Sequence, residues 1–281
     1  MHDAKDTRDA ITKGMQMTLL AGFLGWMMDG YEQALFPTLA GPALKSMVPA
    51  DIATLGTKAI NGWVGGWMGI ITAAFLVGAA LGGAAFGWLG DRIGRVKAMA
   101  WSILFYSVFS GVCYFATDPT HLAAARFMAA LGMGGEWALG VALVMEAWPE
   151  RHRSKMAGAI GMAANAGMVL VGCMALAYPA DGESWRIHFL IGASPAILTL
   201  LIRLFVPESE KWERSAAKEA ASVAPARSKI GEVFGGELRG GTIAGILMVS
   251  VVFVGTWGAV QWIPLWVSEL AGPDHPRAKA I

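Results

Sequence analysis

Charged residues are scarce in this 281-residue sequence. Asp, Glu, Lys and Arg make up only 15% of it, whereas hydrophobic residues make up 55%. Soluble domains usually carry about 25% charged residues, so this composition argues against a water-soluble globular domain. The net charge is only +1, and no basic patch is interleaved with aromatic residues. We therefore expect no nucleic-acid partner.

Cysteine pairs, nucleotide loops and catalytic sets are lacking as well. The two cysteines, Cys113 and Cys173, lie inside apolar runs and indicate small buried side chains rather than a redox compartment. The pattern G-x-x-x-x-G-K-[ST] is absent, which argues against an ATP-driven pump. The five histidines show no metal-ligand spacing, and no Ser/His/Asp set is credible. We expect no metal, no cofactor and no enzymatic activity.

Long apolar runs are what the sequence has in abundance. Stretches of 20 to 30 residues carry few or no charges, and a helix of that length crosses about 30 Å of hydrocarbon. The runs are continuous rather than alternating, which argues against β-strands. We predict an all-α polytopic membrane protein with seven spans, at about residues 15–41, 63–89, 97–116, 121–148, 155–178, 188–206 and 242–269.

The positive charges predict how these spans are oriented. Sixteen of the 22 Lys and Arg residues lie in one set of loops and five in the other, with Arg126 inside a span. Cytoplasmic loops are enriched in Lys and Arg, so we expect a cytoplasmic N-terminus in a plasma or inner membrane. The predicted segments are a cytoplasmic N-terminus 1–14, a six-span half 15–206, a cytoplasmic linker 207–241, a seventh span 242–269 and a tail 270–281.

Small residues recur at the spacing of helix contacts within two spans. The glycines concerned are Gly78, Gly82, Gly83 and Gly87 in span 2, and Gly158, Gly161 and Gly167 in span 5. In lipid there is little hydrophobic drive between helices, so close approach of two backbones supplies the packing. We expect these glycines to lie at helix contacts, as in any polytopic membrane protein.

Ionisable residues inside the spans are the main functional candidates. Asp29 and Glu32 lie in span 1, and Arg126, Glu136 and Glu146 lie in span 4. A charge at the bilayer centre costs at least about 3 kcal/mol, so such groups must pair, neutralise or face water. Two interpretations stay open. The residues form structural ion pairs, or they form a proton relay or substrate anchor in a water-filled cavity.

Two motifs show a family resemblance. Between spans 2 and 3, residues 87–95 read G-x-x-x-D-R-x-G-R, which resembles the signature at this place in transporters of the major facilitator superfamily. In span 4, residues 126–136 read R-F-x-x-x-x-G-x-G-G-E, which resembles the motif of proton-linked metabolite and sugar symporters in that superfamily.

Three further segments strengthen this resemblance. Residues 146–153 fit E-x-x-P-x-x-x-R, which follows the span 4 motif in the same symporters. Residues 207–212 resemble the P-E-S-P-R-W signature after span 6, with Glu210 where proline is usual. Residues 29–32 resemble the D-G-x-D of aromatic-acid and related proton symporters, with glutamate in place of the second aspartate. Together the motifs cover spans 1 to 6 and the linker.

The resemblance implies a fold and a set of roles. The fold is a six-helix N-terminal bundle of the major facilitator type with a seventh transmembrane helix. Asp29 and Arg126 match a proton-coupling acid and its pairing base, while Glu32 and Glu136 are candidates for the same pathway or for the substrate. The implied cytoplasmic gating network is Asp91, Arg92, Arg95, Glu146, Arg153 and Glu208. Possible cavity-lining residues are Asn165, Trp257 and Gln261, the last two because they are four residues apart in span 7.

The implied function is proton-coupled secondary transport of a small organic solute, a sugar or an organic acid or metabolite, by alternating access. The partners are then the solute, the proton and membrane lipid. Transporters of this superfamily have twelve spans, so we expect a truncated copy, or a second chain that supplies the missing half. The 281-residue chain alone is not expected to accumulate solute. The alternative is a non-transporting, half-size membrane scaffold or sensor.

Overall fold

A computed structural model describes most of the chain. The described residues are 12–180, 182–197, 205–209, 212–215, 217, 234–236 and 238–271. These residues are predominantly helical and include no β-strand, which confirms the predicted all-α class. Parts of the predicted N-terminus, sixth span, linker and tail lie outside the described residues.

Helices follow the predicted spans in most of the described chain, although residues 192–194 of the predicted sixth span form a turn. In chain order they are α1 Lys13–Lys45, α2 Thr57–Ile93, α3 Arg95–Val112, α4 Pro119–Ala147, α5 Glu150–Ala177, α6 Trp185–Ile191, α7 Leu238–Gly258 and α8 Ile263–Ala271. A one-turn helix, Ala50–Ala53, precedes α2, and 3₁₀ turns Cys113–Phe115 and Val260–Trp262 follow α3 and α7.

Five helical segments among the described residues are long and apolar enough to cross a membrane. They are Thr57–Ile93, Arg95–Phe115, Pro119–Ala147, Glu150–Ala177 and Leu238–Val267. Helix α1 is 33 residues long but is not one of the five, and it carries Asp29 and Glu32. The outward faces are apolar too: Val251 and Val254 of α7 are each 74% exposed, as expected for a surface that contacts lipid rather than water.

Capping and turn residues set the helix ends. At the start of α4, the carboxylate of Asp118 accepts the backbone N–H groups of Thr120 and His121 at 2.8 and 3.0 Å, while Pro119 takes the first helical position. Between α2 and α3, Gly94 has a φ of +107°, a conformation that side chains with a Cβ rarely adopt. This glycine makes the tight turn that joins the two helices.

Helix α4 is at the centre of the bundle and packs against α1, α2 and α3, while α5 packs along α1. Glycines allow the closest approaches. A Cβ at Gly82 of α2 would overlap the carbonyl of Leu131 on α4, and a Cβ at Gly167 of α5 would overlap the carbonyl of Met27 on α1. Close backbone contact of this kind is how helices associate in lipid, and it brings α1 and α4 together around the buried charges.

Candidate functional site

A buried ion pair joins α1 to α4. Nη1 of Arg126 contacts Oε1 of Glu32, and its Nη2 donates to the Glu32 carbonyl oxygen at 3.4 Å. From α3, Ser110 Oγ donates to the other carboxylate oxygen, Oε2, at 2.8 Å. Arg126 is 1% exposed and Glu32 is fully buried. Each oxygen of this carboxylate therefore has a donor, and the pair carries no net charge when both residues are ionised.

Three aromatic rings surround the guanidinium group. Cζ of Arg126 lies 4.8 Å from the ring centroid of Phe75, 5.6 Å from that of Phe36 and 5.8 Å from that of Phe189. A cation near the face of an aromatic ring is attracted by the ring quadrupole. The rings also keep water away from the charge. The site is a desolvated cation with one carboxylate partner.

Two further carboxyl groups, Asp29 on α1 and Glu136 on α4, are buried without a cation. Asp29 is 1% exposed and Glu136 is fully buried, and among the described residues none of their carboxyl oxygens has a hydrogen bond of normal geometry. The carboxyl group of Glu136 occupies the space left by Gly25, where a Cβ would overlap its Oε1. Gly25 lies about one helical turn before Asp29, which puts the two acids within electrostatic range of each other.

The expected pair between Asp29 and Arg126 does not form, because the structure pairs Arg126 with Glu32 instead. Helices α1 and α4 are antiparallel, so residues later in α1 meet residues earlier in α4. Glu32 therefore faces Arg126, and Gly25 faces Glu136. Asp29 lies between these two levels, on the side of Glu136.

A water-filled cavity around the four residues, one of the two interpretations of the sequence, is not what the structure shows. Asp29, Glu32, Arg126 and Glu136 are each at most 1% exposed. Glycine contacts close the space around them. A Cβ at Gly30 of α1 would overlap the carbonyl of Ala164 on α5. In this conformation the four residues are sealed inside the protein and are away from both lipid and water.

An apolar cavity of about 720 Å³ lies between α2, α4 and α7. Small residues of α2 and α4 form its floor, and aromatic side chains form much of its wall, namely Trp137, Phe253, Trp257 and Trp262. The ring of Trp257 packs on Phe75, with centroids 5.7 Å apart. Phe75 is also the ring nearest the Arg126 guanidinium, so these two aromatic residues separate the cavity from the ion pair.

Of the three predicted lining residues, only Trp257 lines this cavity. Helix α7 ends at Gly258, and Gln261 lies in the following 3₁₀ turn, where it is 7% exposed. The prediction that Trp257 and Gln261 share one helix face is wrong because the α-helix is interrupted between them. Asn165 is exposed on α5 and donates to the carbonyl of Gly161 at 3.1 Å.

Four predicted gating residues meet at one end of the bundle. Arg95 Nη1 lies 2.7 Å from Asp91 Oδ1, and its Nη2 lies 3.4 Å from Glu146 Oε1. Glu208 accepts the backbone N–H groups of Arg95 and Val96 at 2.8 and 3.2 Å, so its carboxylate caps the start of α3. These contacts connect the turn between α2 and α3 with the end of α4 and with the segment that follows α6.

Two other predicted gating residues, Arg92 and Arg153, make different contacts. Arg92 is stacked over the ring of Trp88, with Cζ 4.1 Å from the centroid. Arg153 donates from Nε to the carbonyl of Trp148 at 3.3 Å. In the described part of the chain, neither guanidinium is seen to bond Glu146 or Glu208.

Ser209 and Trp212 complete the cluster, although no role for them was predicted from the sequence. Ser209 Oγ donates to Glu146 Oε2 at 2.6 Å, and Trp212 Nε1 donates to the carbonyl of Asp91 at 2.8 Å. Both belong to the 207–212 motif, so that motif could have indicated that they contact the cluster. Ser110, which bonds Glu32, carries no comparable signal because single serines are common in spans.

The chain resembles known proteins over most of its length. The family model described as Major Facilitator Superfamily matches residues 14–278. The "Probable 4-methylmuconolactone transporter" of Cupriavidus pinatubonensis is 30% identical over 258 residues, which cover 90% of this chain and 55% of that protein. The sialic acid transporter NanX of Escherichia coli is 31% identical over 205 residues, which cover 73% of this chain and 47% of NanX. The chain spans about half the length of both relatives.

Solved structures show the same fold. A crystal structure of the D-xylose-proton symporter matches with a TM-score of 0.68 and 21% identity, over 95% of this chain and 64% of that one. Because the family model covers nearly the whole chain and the helices have the corresponding arrangement, the chain belongs to the Major Facilitator Superfamily.

Proposed function

We propose that this chain supplies part of a proton-coupled secondary transporter of a small organic solute, and that it is not an enzyme. The observation that carries the proposal is the buried set of ionisable residues, Asp29, Glu32, Arg126 and Glu136. Ionisable groups inside a membrane bundle are expensive to insert and mark solute or proton pathways. Two relatives are named as transporters of 4-methylmuconolactone and of sialic acid, which supports a sugar or an organic acid or metabolite as the solute.

The second part of the proposal is alternating access. Salt bridges at a membrane edge can form and break as two bundles rock, and so they bias the equilibrium between two conformations. We propose that the cluster of Asp91, Arg95, Glu146 and Glu208 stabilises the state that is closed on the cytoplasmic side. We propose with this that the cluster and the N-terminus lie on the cytoplasmic side of a plasma or inner membrane.

Solute sites in transporters of this kind lie between two bundles. The spans of this chain provide one bundle and a seventh helix. We therefore propose that further spans, on the same polypeptide or on a second chain, complete the solute site. On this account the 281 residues alone bind no solute tightly and accumulate none in liposomes.

The test uses a chimera in liposomes, in which the part of NanX that follows the matched region is joined after the last matched residue of this chain. We expect Asp29→Asn to abolish solute uptake driven by an inward proton gradient and to preserve solute counterflow, because counterflow needs no net proton movement. Asp51→Asn is the control, since Asp51 is an exposed acid in the one-turn helix. Gradient-driven uptake that is unchanged in Asp29→Asn would remove Asp29 from the coupling.

The same preparation distinguishes the alternative function. If the unsubstituted extended chain is folded but moves neither sialic acid nor any member of a panel of sugars and organic acids, a non-transporting scaffold or sensor is favoured.

A further inference from the structure

We propose that Asp29 and Glu136 together form the proton carrier of this site, and that Arg126 and Glu32 form a separate pair that keeps its charges. The inference rests on the proposed function and deepens it, because it specifies which two of the three buried acids share the proton. It differs from the assignment that the family resemblance implies, in which Arg126 is the partner of Asp29.

The buried charges do not balance if all four residues are ionised. The single cation, Arg126, is in direct contact with Glu32, whose second oxygen receives the hydroxyl of Ser110. Ionised Asp29 and Glu136 would add two negative charges at positions that are at most 1% exposed. A buried charge is tolerated only when it is paired and hydrogen-bonded, and within the described residues these carboxyl oxygens have no donor.

A proton on one of the two acids lowers the net negative charge of the four residues from two to one. It neutralises one carboxyl group, and the resulting O–H can donate to the other carboxylate. Two carboxyl groups that share a buried site hold a proton for this reason in other proteins. The position of Gly25 supports such sharing, because it lets the carboxyl group of Glu136 lie against α1 about one turn from Asp29.

Ionisable groups from the surrounding helices supply no second cation in the described structure. Glu32 of α1 and Tyr106 of α3 lie within electrostatic range of the two acids, and the one nearby cation, Arg126 of α4, is already paired. Helix α5 contributes the backbone carbonyl of Ala164 beside Gly30. The Tyr106 hydroxyl is also buried without a hydrogen-bond partner among the described residues.

The proton step needs no other reagent. A proton that arrives from one side forms an O–H bond with a carboxylate oxygen of the pair, and the charge of the pair rises by one. Release to the other side breaks that O–H bond and restores the charge. Because the two acids lie on different helices, a shift of α1 against α4 changes their separation and so changes whether both can be ionised. This couples proton binding to conformation.

Infrared spectroscopy of the purified full chain in detergent micelles tests the proposal directly, because protonated carboxyl groups absorb apart from carboxylates. At pH 7, where exposed Asp and Glu side chains are ionised, we expect the unsubstituted chain to retain a carboxylic acid band. We expect Asp29→Asn and Glu136→Gln each to weaken or shift the band, and the double variant to lose it. Asp51→Asn, a substitution of an exposed acid in the one-turn helix, should keep it.

Three results would overturn the proposal: no acid band in the unsubstituted chain at pH 7, a band that survives in the double variant, or a band lost in Asp51→Asn. The first of these needs no variant, so a substitution that fails to fold leaves the proposal testable. The experiment uses neither solute nor a gradient. An intact band in a chain whose extended form transports nothing would therefore count against the proposed function and not against the shared proton.

Discussion

Arg126 shows why individual partners were harder to predict than the site itself. The spacing within α1 and α4 identified the buried acids and the arginine, since intramembrane charges stand out in an apolar sequence. It could not identify which acid meets the arginine, because Asp29 and Glu32 lie on the same helix face. That choice depends on the register between the antiparallel helices α1 and α4, which the close contacts of Gly22 with Val144 and of Gly25 with Glu136 help to set.

The Arg126–Glu32 pair predicts a large stability effect. Glu32→Gln leaves a buried guanidinium without its counter-charge, and removing one partner of a buried ion pair costs about 3–5 kcal/mol. We expect that loss in the free energy of unfolding, measured by denaturant titration of the chain in detergent micelles. Glu213→Gln, at an exposed position, should change it by no more than about 0.5 kcal/mol. Equal values for the two variants would contradict the paired geometry.

Gly94 tests the cap that Glu208 makes on α3. Alanine at position 94 has to adopt a φ of +107°, and its Cβ would overlap the Glu208 carboxylate. Gly56 is a matched control, because it has a φ of +87° and a Cβ added there would meet nothing within 4 Å. We expect Gly94→Ala to lower the free energy of unfolding by about 1.5–3 kcal/mol more than Gly56→Ala does. This difference is what hydrogen bonds to a charged group contribute, because only Gly94→Ala displaces the Glu208 carboxylate. A difference near zero would mean that the cap contributes nothing.

At the scale of the helices, the sequence predicted the elements well and their contacts unevenly. Continuous apolar runs and few breakers fix where helices form, and the described helices follow those runs. The glycine pattern was less informative. Gly78, Gly82 and Gly167 lie against neighbouring backbones, whereas Gly87 and Gly158 face open space. Spacing alone cannot tell these classes apart, since both faces of a lipid-embedded helix are apolar.

Helix α2 therefore contains a matched pair of glycines for a packing test. Gly82→Ala would drive a Cβ into the carbonyl of Leu131, whereas Gly87→Ala meets nothing within 4 Å. Overpacking costs about 1–3 kcal/mol, while alanine in an open helical position gains up to about 1 kcal/mol over glycine. We expect the midpoint of thermal unfolding in micelles to fall for Gly82→Ala and to hold or rise for Gly87→Ala. The reverse order would contradict the packing of α2 on α4.

At the scale of the whole molecule, the described helices form one bundle. The four buried ionisable residues of α1 and α4 lie inside it, and the cluster of Asp91, Arg95, Glu146 and Glu208 lies at one end. The family was predictable from the sequence because its motifs have fixed spacing around the turn of α2 and α3 and within α4. That these ionisable side chains are buried away from water was not predictable. Sequence reports which residues are ionisable, but burial depends on how closely several helices pack around them.

Solute-driven proton entry tests the central claim most directly, which is that the buried acids couple solute movement to proton movement. Liposomes that contain the NanX-extended chain and an internal pH-sensitive dye receive a transported solute from outside. We expect the lumen to acidify with the unsubstituted protein and with Asp51→Asn, and to keep its pH with the Asp29→Asn/Glu136→Gln double variant. Solute entry by the unsubstituted protein without acidification, or acidification that persists in the double variant, would contradict the account.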